Sequence, residues 1–285
     1  MKVVTLLSII FMTVFLTACS AYNVDQRRQT AQSIATKGGF QPFKLKTKSF
    51  SFEGYFKKGK ELSEPIIYIE GDGFAWIDKY TISRNPTPRD PVGLKLASID
   101  SASSVFYLPR PCQYVELKTE KNCAQKYWTN ARFSPEVIAS FHQALEQIKR
   151  KFDARGFHLV GFSGGGAVAT LLTAQRDDIR SLRTVAGNLD HVSLNRQRKV
   201  SPLTESLNPI DFATRVRKTP QVHFVGREDE IIPKWVAKNF VEATRGSSCA
   251  SYYYVSNVTH AKGWEKLWGN LHKKVFSCKV EGLSD

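Results

Sequence analysis

Phe157-His158-Leu159-Val160-Gly161-Phe162-Ser163-Gly164-Gly165-Gly166 is the stretch on which the reading of the whole chain turns. Its first four residues, apolar except for His158, form the short run expected of a strand covered on both faces. The run passes straight into a turn of glycines, and Ala167 to Gln175 then reads as a helix of small and apolar residues. Strand, sharp turn and helix leave Ser163 at the apex. The glycines two places before and two places after it are what such a turn needs, because strand and helix approach too closely for side chains. The N-terminus of the helix directs free N–H groups at the serine and favours negative charge developing there. A phosphate-binding loop is also rich in glycine, but no Lys follows here in the Walker arrangement.

The same pattern extends in both directions. Phe43 and Leu45, then Phe50, Phe52 and Tyr55, alternate as in an N-terminal hairpin. Ile66 to Ile69 is a continuous apolar run that stops at Glu70-Gly71-Asp72-Gly73, and Ser104 to Leu108 repeats the form before Pro109-Arg110-Pro111. Ser134-Pro135 is a helix start, a capping hydroxyl followed by proline at the first helical position. Val137, Phe141, Leu145, Ile148 and Phe152 mark the buried face of that helix. Leu182–Ala186, Val222–Val225 and Tyr252–Val255 are further strands, and a closing helix is expected from Gly263 to Phe276. Strands alternating with helices predict an α/β fold, a mostly parallel central sheet with helices on both faces. A single domain is expected over residues 41–285.

Gly161-Phe162-Ser163-Gly164-Gly165 resembles the G-x-S-x-G nucleophile elbow of the α/β-hydrolase superfamily. The resemblance implies the order Ser, Asp/Glu, His along the chain. Gly226-Arg227-Glu228-Asp229, ending in Pro233 and lying just after a strand, is similar to the family's acid loop and points to Asp229. Asn257-Val258-Thr259-His260, between the last strand and the last helix, points to His260 as the base. Glu228 and Glu230 are expected simply to be solvated. His142, His158, His191, His223 and His272 fit the base position less well. The resemblance also implies an oxyanion hole, with the backbone N–H of Gly164 as one donor and the turn at Asp72 or Gly73 as the second. Where the family often has His-Gly at that turn, this chain has Glu70-Gly71.

The ends carry a different message. Lys2, the apolar stretch Val3–Leu16 and the small residues before Cys19 have the layout of an export signal over residues 1–18. Leu16-Thr17-Ala18-Cys19 resembles the bacterial lipobox, which implies cleavage before Cys19 and acylation of that cysteine. Residues 19–40 are then expected to be a lipidated tether with a possible short helix. Ser20 resembles the outer-membrane sorting pattern, so the expected location is the bacterial envelope, on the periplasmic face of the outer membrane. In that oxidising compartment Cys112, Cys123, Cys249 and Cys278 allow three pairings. Cys112–Cys123 and Cys249–Cys278 are favoured because each closes a local loop. No Cys-x-x-Cys and no nearby histidine pair suggests a metal, and no cofactor is expected.

The composition, 42% hydrophobic with 12% aromatic, supports a sizeable core and excludes a disordered chain. The net charge of +15 is spread over the sequence without aromatic interleaving, so no nucleic acid is expected as a partner; it suits an anionic lipid surface better. The expected partners are the membrane, through Cys19, and a small-molecule or lipid-derived ester. Pro109–Phe133 and Asn188–Pro209 flank the expected pocket; Tyr114, Tyr127 and Trp128 of the first are as consistent with packing as with lining it, and the second is too short and polar for a large lid. The activity implied is hydrolysis of a carboxylic ester or thioester through an acyl-enzyme on Ser163. An amidase, peptidase or acyltransferase with the same triad, or a catalytically silent membrane-anchored binding module, are the alternatives.

Overall fold

The computed structural model describes residues 23–101, 104–274 and 278. The expected signal segment and Cys19 lie outside the described residues, as do positions 275 and 276 of the expected closing helix. Eight strands form one sheet in the order β1-β2-β4-β3-β5-β6-β7-β8. These are β1 (Gln41–Lys46), β2 (Ser51–Lys57), β3 (Ile66–Ile69), β4 (Val105–Leu108), β5 (Phe157–Phe162), β6 (Ile179–Val185), β7 (Gln221–Gly226) and β8 (Ala250–Val255). β1 and β2 form the antiparallel hairpin, β2 meets β4 antiparallel, and every pairing from β4 through β8 is parallel. The fold is the α/β-hydrolase type anticipated from the alternation of elements.

Helices cover both faces. On one side α3 (Pro135–Phe152) and α4 (Gly164–Thr173) pack against Phe52, Ile67, Phe106 and Leu159. On the other, α1 (Val24–Lys37), α2 (Val92–Ile99) and α7 (Trp264–Leu271) enclose Tyr68, Tyr107, Val160 and Phe224. α5 (His191–Arg198) and α6 (Lys234–Ala243) close a third apolar cluster around Val225, Ile232 and Phe240. Central strands buried on both faces explain why β3 and β4 read as unbroken apolar runs. Ser134 caps α3 by accepting from the Val137 amide, an interaction that contributes about 1 kcal/mol.

The segment expected to be a tether behaves as part of the body from Val24 onward. Asn23 caps α1, and Ala31 and Ala35 are buried against the domain. Arg27 donates to the carbonyls of Asn85 and Thr87, and Arg28 to those of Tyr114 and Val115. A polar helix is thus fastened mainly through its arginines, which no apolar periodicity could announce. Disulfides join Cys112 to Cys123 and Cys249 to Cys278.

The turn between β5 and α4 is the tightest point of the fold. A Cβ on Gly161 would lie 2.3 Å from the Gly165 carbonyl oxygen, and one on Gly165 would lie 2.2 Å from the carbonyl oxygen of Ile69 in β3. One on Gly166 would meet the Gly187 Cα at 2.9 Å. Backbone rather than movable side chain is the obstacle in each case. Gly165→Ala should therefore lower the unfolding free energy by about 2 kcal/mol or more, whereas Gly269→Ala, in open space on α7, should be neutral or stabilising by up to about 1 kcal/mol. Urea denaturation of the two variants checks this; equal stabilities would show that the turn is not the constraint described.

Candidate active site

Ser163 occupies the apex of that turn with φ 51° and ψ −117°, a strained backbone for a residue with a side chain. Its amide donates to Val185 O on β6, and its carbonyl accepts from Gly166 and Asn188. These bonds hold the turn from β6 and the loop that follows it, at the carboxyl edge of the sheet.

Asp229 and His260 reach the same edge from the loops after β7 and β8. His260 Nε2 lies 3.0 Å from Ser163 Oγ, and His260 Nδ1 lies 3.0 Å from Asp229 Oδ2. Asp229 is enclosed, and its other oxygen accepts the amides of Ile231 and Ile232 at 2.8 and 2.9 Å. A carboxylate held by two amides favours the Nδ1–H tautomer of His260, which leaves Nε2 free to accept the serine proton. The imidazole lies tilted against the Phe162 ring, centroids 5.3 Å apart, and Trp264 Nε1 donates to the carbonyls of Thr259 and His260. Ring, loop and helix α7 thereby fix the position of the His260 imidazole.

Glu228 is not the solvated neighbour expected from the sequence. Its carboxylate accepts the Val258 amide at 2.7 Å and ties the acid loop to the histidine loop. Glu230 contributes only its carbonyl, which accepts from Arg198. The other histidines stand apart. His158 bonds Ser181; His223 bonds Thr184 and Gln221 in the core, where burial pulls it down to about 3. His191 is buried against Phe133 and bonds Leu207 O. His142 meets Gln175, and His272 meets Trp268 O.

Gly164 and the Asp72-Gly73 turn come together beside Ser163. A Cβ on Gly164 would lie 2.0 Å from Asp72 Oδ1, so residue 164 has no room for a side chain. Among the described residues, neither the Gly164 nor the Asp72 amide donates to a protein acceptor, which leaves both available to a developing oxyanion. Gly73 has φ 68° and turns the chain under the Pro86 carbonyl, from which a Cβ would be only 2.1 Å away. Asp72 itself is clasped by two guanidiniums, Arg110 Nη1 at 3.1 Å and Arg132 Nη1 at 2.6 Å. Burial raises its pKa, but the two charges outweigh that and hold it below the usual carboxylate range. Arg110 also donates to Arg132 O, and burial draws its own pKa down to about 10.

The cleft above Ser163 holds about 400 Å³. Its walls come chiefly from residues 72–92, including Phe74, Ala75, Trp76 and Arg89, with Phe162, Ile231 and Arg132 completing them. The segments expected there contribute little. In Pro109–Phe133, Tyr114, Tyr127 and Trp128 are buried in packing, and only Arg132 reaches the cleft. Asn188–Pro209 instead lines a separate hollow around His191 and Leu203. No apolar periodicity marks residues 72–91, whose one regular feature is an isolated bridge between Trp76 and Ile82. Among the described residues, no group of His, Cys, Asp and Glu is arranged to hold a metal ion.

Glu70, standing where the family often has histidine, is buried beneath the oxyanion turn. It accepts the amides of Gly71, Gly93 and Leu94 and the Tyr107 hydroxyl, at 2.9 to 3.3 Å. It thus joins the turn to the N-terminus of α2. Burial outweighs these bonds and pushes its pKa up to about 7. In the unfolded chain the same carboxyl ionises near its ordinary value of 4.5. The folded state therefore binds more protons between those two values, and stability falls as pH rises across them. A shift of this size corresponds to about 3 kcal/mol. Glu70→Gln should remove that slope, so that the wild-type-minus-variant stability difference declines between pH 4.5 and 7 and is level above. Urea midpoints across pH 4.5–8.5 measure it; parallel curves would contradict the buried acid.

No curated protein sequence matches the chain. Among solved structures, Pyrococcus horikoshii acylaminoacyl peptidase superposes with a TM-score of 0.61 at 15% identity, over 86% of this chain and 43% of the peptidase. This chain thus spans less than half of that relative's length. A candidate lipase (lip1) from Acinetobacter baumannii AYE gives 0.58 at 16% identity, over 86% of this chain and 94% of the other. The Pyrococcus furiosus esterase Pf2001 gives 0.54 at 11%, over 80% and 86%. At such identities these likenesses establish the fold. The family described as serine hydrolase (FSH1) matches residues 97–261, more than half of the chain and a span that includes Ser163, Asp229 and His260. The chain belongs to that serine hydrolase family.

Proposed function

We propose that this serine hydrolase cleaves carboxylic esters or thioesters through an acyl-enzyme on Ser163. The observation that carries the reading is the unbroken hydrogen-bonded line from Asp229 through His260 to Ser163. In the first half-reaction Ser163 Oγ attacks the carbonyl carbon while its proton passes to His260 Nε2. Asp229 stabilises the imidazolium, and the amides of Gly164 and of the Asp72–Gly73 turn receive the oxyanion. Collapse expels the alcohol or thiol with the proton from His260. Water then repeats the sequence on the acyl carbon and frees Ser163.

Similar folds bear the names of peptidase, lipase and esterase, so amide cleavage or acyl transfer by the same three residues is the second reading. Esters are preferred on chemical grounds. An alkoxide or thiolate is the better leaving group, whereas an amine must be protonated as it departs. Ser163→Ala and His260→Ala should each lower kcat on p-nitrophenyl acetate or butyrate by about 10⁴-fold or more, because the three groups act as a unit. His191→Ala should retain most activity. Faster turnover of peptide anilides than of the esters would favour the amidase reading, and loss of activity in the His191 variant would displace His260 as the base.

The proposal extends to the chain's place in the cell: an envelope lipoprotein on the periplasmic face of the outer membrane, anchored through acylated Cys19. The signal layout, the lipobox-like tetrapeptide and the two disulfides of the exported domain support it. Cys19→Ala should abolish incorporation of radiolabelled palmitate and release the protein from sedimented membranes. Continued labelling of that variant would sink the assignment.

A further inference from the structure

Asp72 is the side chain nearest Gly164, where the oxyanion would form, and a lone carboxylate there would oppose negative charge. One guanidinium would neutralise it. Two are present, both drawn from the segment after β4, and they leave one positive charge in excess at the edge of the cleft. Arg110 is nearly inaccessible and is spent on Asp72, the Arg132 carbonyl and the face of Phe133; its Nε is buried with no partner. Arg132 is different. Its Nε donates to Thr129 O and its Nη1 to Asp72, while among the described residues its Nη2 has no protein acceptor. That nitrogen belongs to a side chain that lines the cleft together with Ser163 and His260.

The rest of the cleft does not cancel this charge. Asp90 is paired with Lys95, which Glu265 shares, and burial pushes the Glu70 carboxyl toward its neutral form. A further cation, Arg89, lies flat on the Phe74 ring at 3.7 Å and lines the same cleft. The same walls carry the apolar side chains of Phe74, Ala75 and Trp76. A guanidinium already fixed at two nitrogens, with no protein acceptor on the third among the described residues, is preorganised for an oxyanion at low entropic cost.

We infer that Arg132, supported by the Arg110–Asp72 pair and sharing the cleft with Arg89, is an anion-recognition subsite, and that the preferred substrates are esters carrying a carboxylate or phosphate close to the scissile carbonyl. The inference rests on the proposed ester hydrolase activity and names its substrate class. Arg132 holds the anionic end of the substrate while the apolar wall receives the hydrocarbon between that end and the ester.

The experiment compares two esters that differ in one charge, mono-p-nitrophenyl glutarate and its methyl ester, after subtraction of uncatalysed hydrolysis. With the full-length protein the anionic ester should show a kcat/KM at least about 10-fold higher at low ionic strength, with the advantage shrinking in 0.5 M salt. Arg132→Gln should collapse the ratio toward one, largely through KM, and Arg132→Lys should restore part of it. Inorganic phosphate and glutarate, tried as inhibitors of the anionic ester, distinguish the two anions: the tighter one identifies the natural group. A wild-type ratio at or below one, or a ratio unchanged in Arg132→Gln, would overturn the subsite alone. Turnover of neither ester would overturn the hydrolase reading on which it stands.

Discussion

Three backbone segments meet at Gly165, and the rest of the site depends on that contact. The carbonyl of Ile69 in β3, the end of β5 and the first turn of α4 approach so closely that a single methyl group has no space. This closeness forces Ser163 into a positive φ and turns its hydroxyl away from the core. It also sets the Asp72 turn, which leaves β3 three residues after Ile69, directly beside Gly164. Ser163 and the Gly164 and Asp72 amides beside it are therefore placed by backbone packing, which is stiffer than any arrangement of side chains. The histidine and the acid arrive on separate loops, and Glu228 locks those loops together through the Val258 amide.

The cleft is built on a second principle. Residues 72–91 have almost no regular structure, yet the loop carries most of the wall above Ser163. It is held by polar attachments from outside. Arg27 on α1 bonds its carbonyls and stacks on Phe74; Arg89 stacks on the same ring; and Thr87 accepts the Tyr114 amide. Helix α1 thus stands close to the site in space although it is far from it in sequence. Arg27 and Arg110 are buried in making these attachments and in holding Asp72, and the desolvation this costs is offset by the carbonyls and the carboxylate they meet.

Much of this architecture was legible in the sequence where the physics is local. Short apolar runs announced β3, β4 and β5, the Ser134-Pro135 start announced α3, and the spacing of glycines about Ser163 announced the elbow. The order Ser163, Asp229, His260 was readable through resemblance, and the structure brings those three within hydrogen-bonding distance. What stayed hidden depends on contacts between distant residues. No pattern distinguishes Glu228, which bridges two loops, from a solvated acid. The aromatic segment around Tyr127 and Trp128 was as consistent with lining a pocket as with packing, and burial decides for packing. The arginines of α1 give a polar helix with little apolar face, so its docking could not be foreseen from periodicity. The pairing of Arg110 and Arg132 on Asp72 spans 38 and 60 residues and leaves no trace in local sequence.

A Ser163 hydroxyl activated by His260 and open to an electrophile reacts with a fluorophosphonate. Treatment of the folded, full-length protein followed by peptide mass spectrometry of the adduct is the sharpest test. One covalent adduct per chain is expected, on the peptide containing Ser163, and it should disappear on prior unfolding. An adduct on a different serine, or none on the folded protein, would contradict that activation.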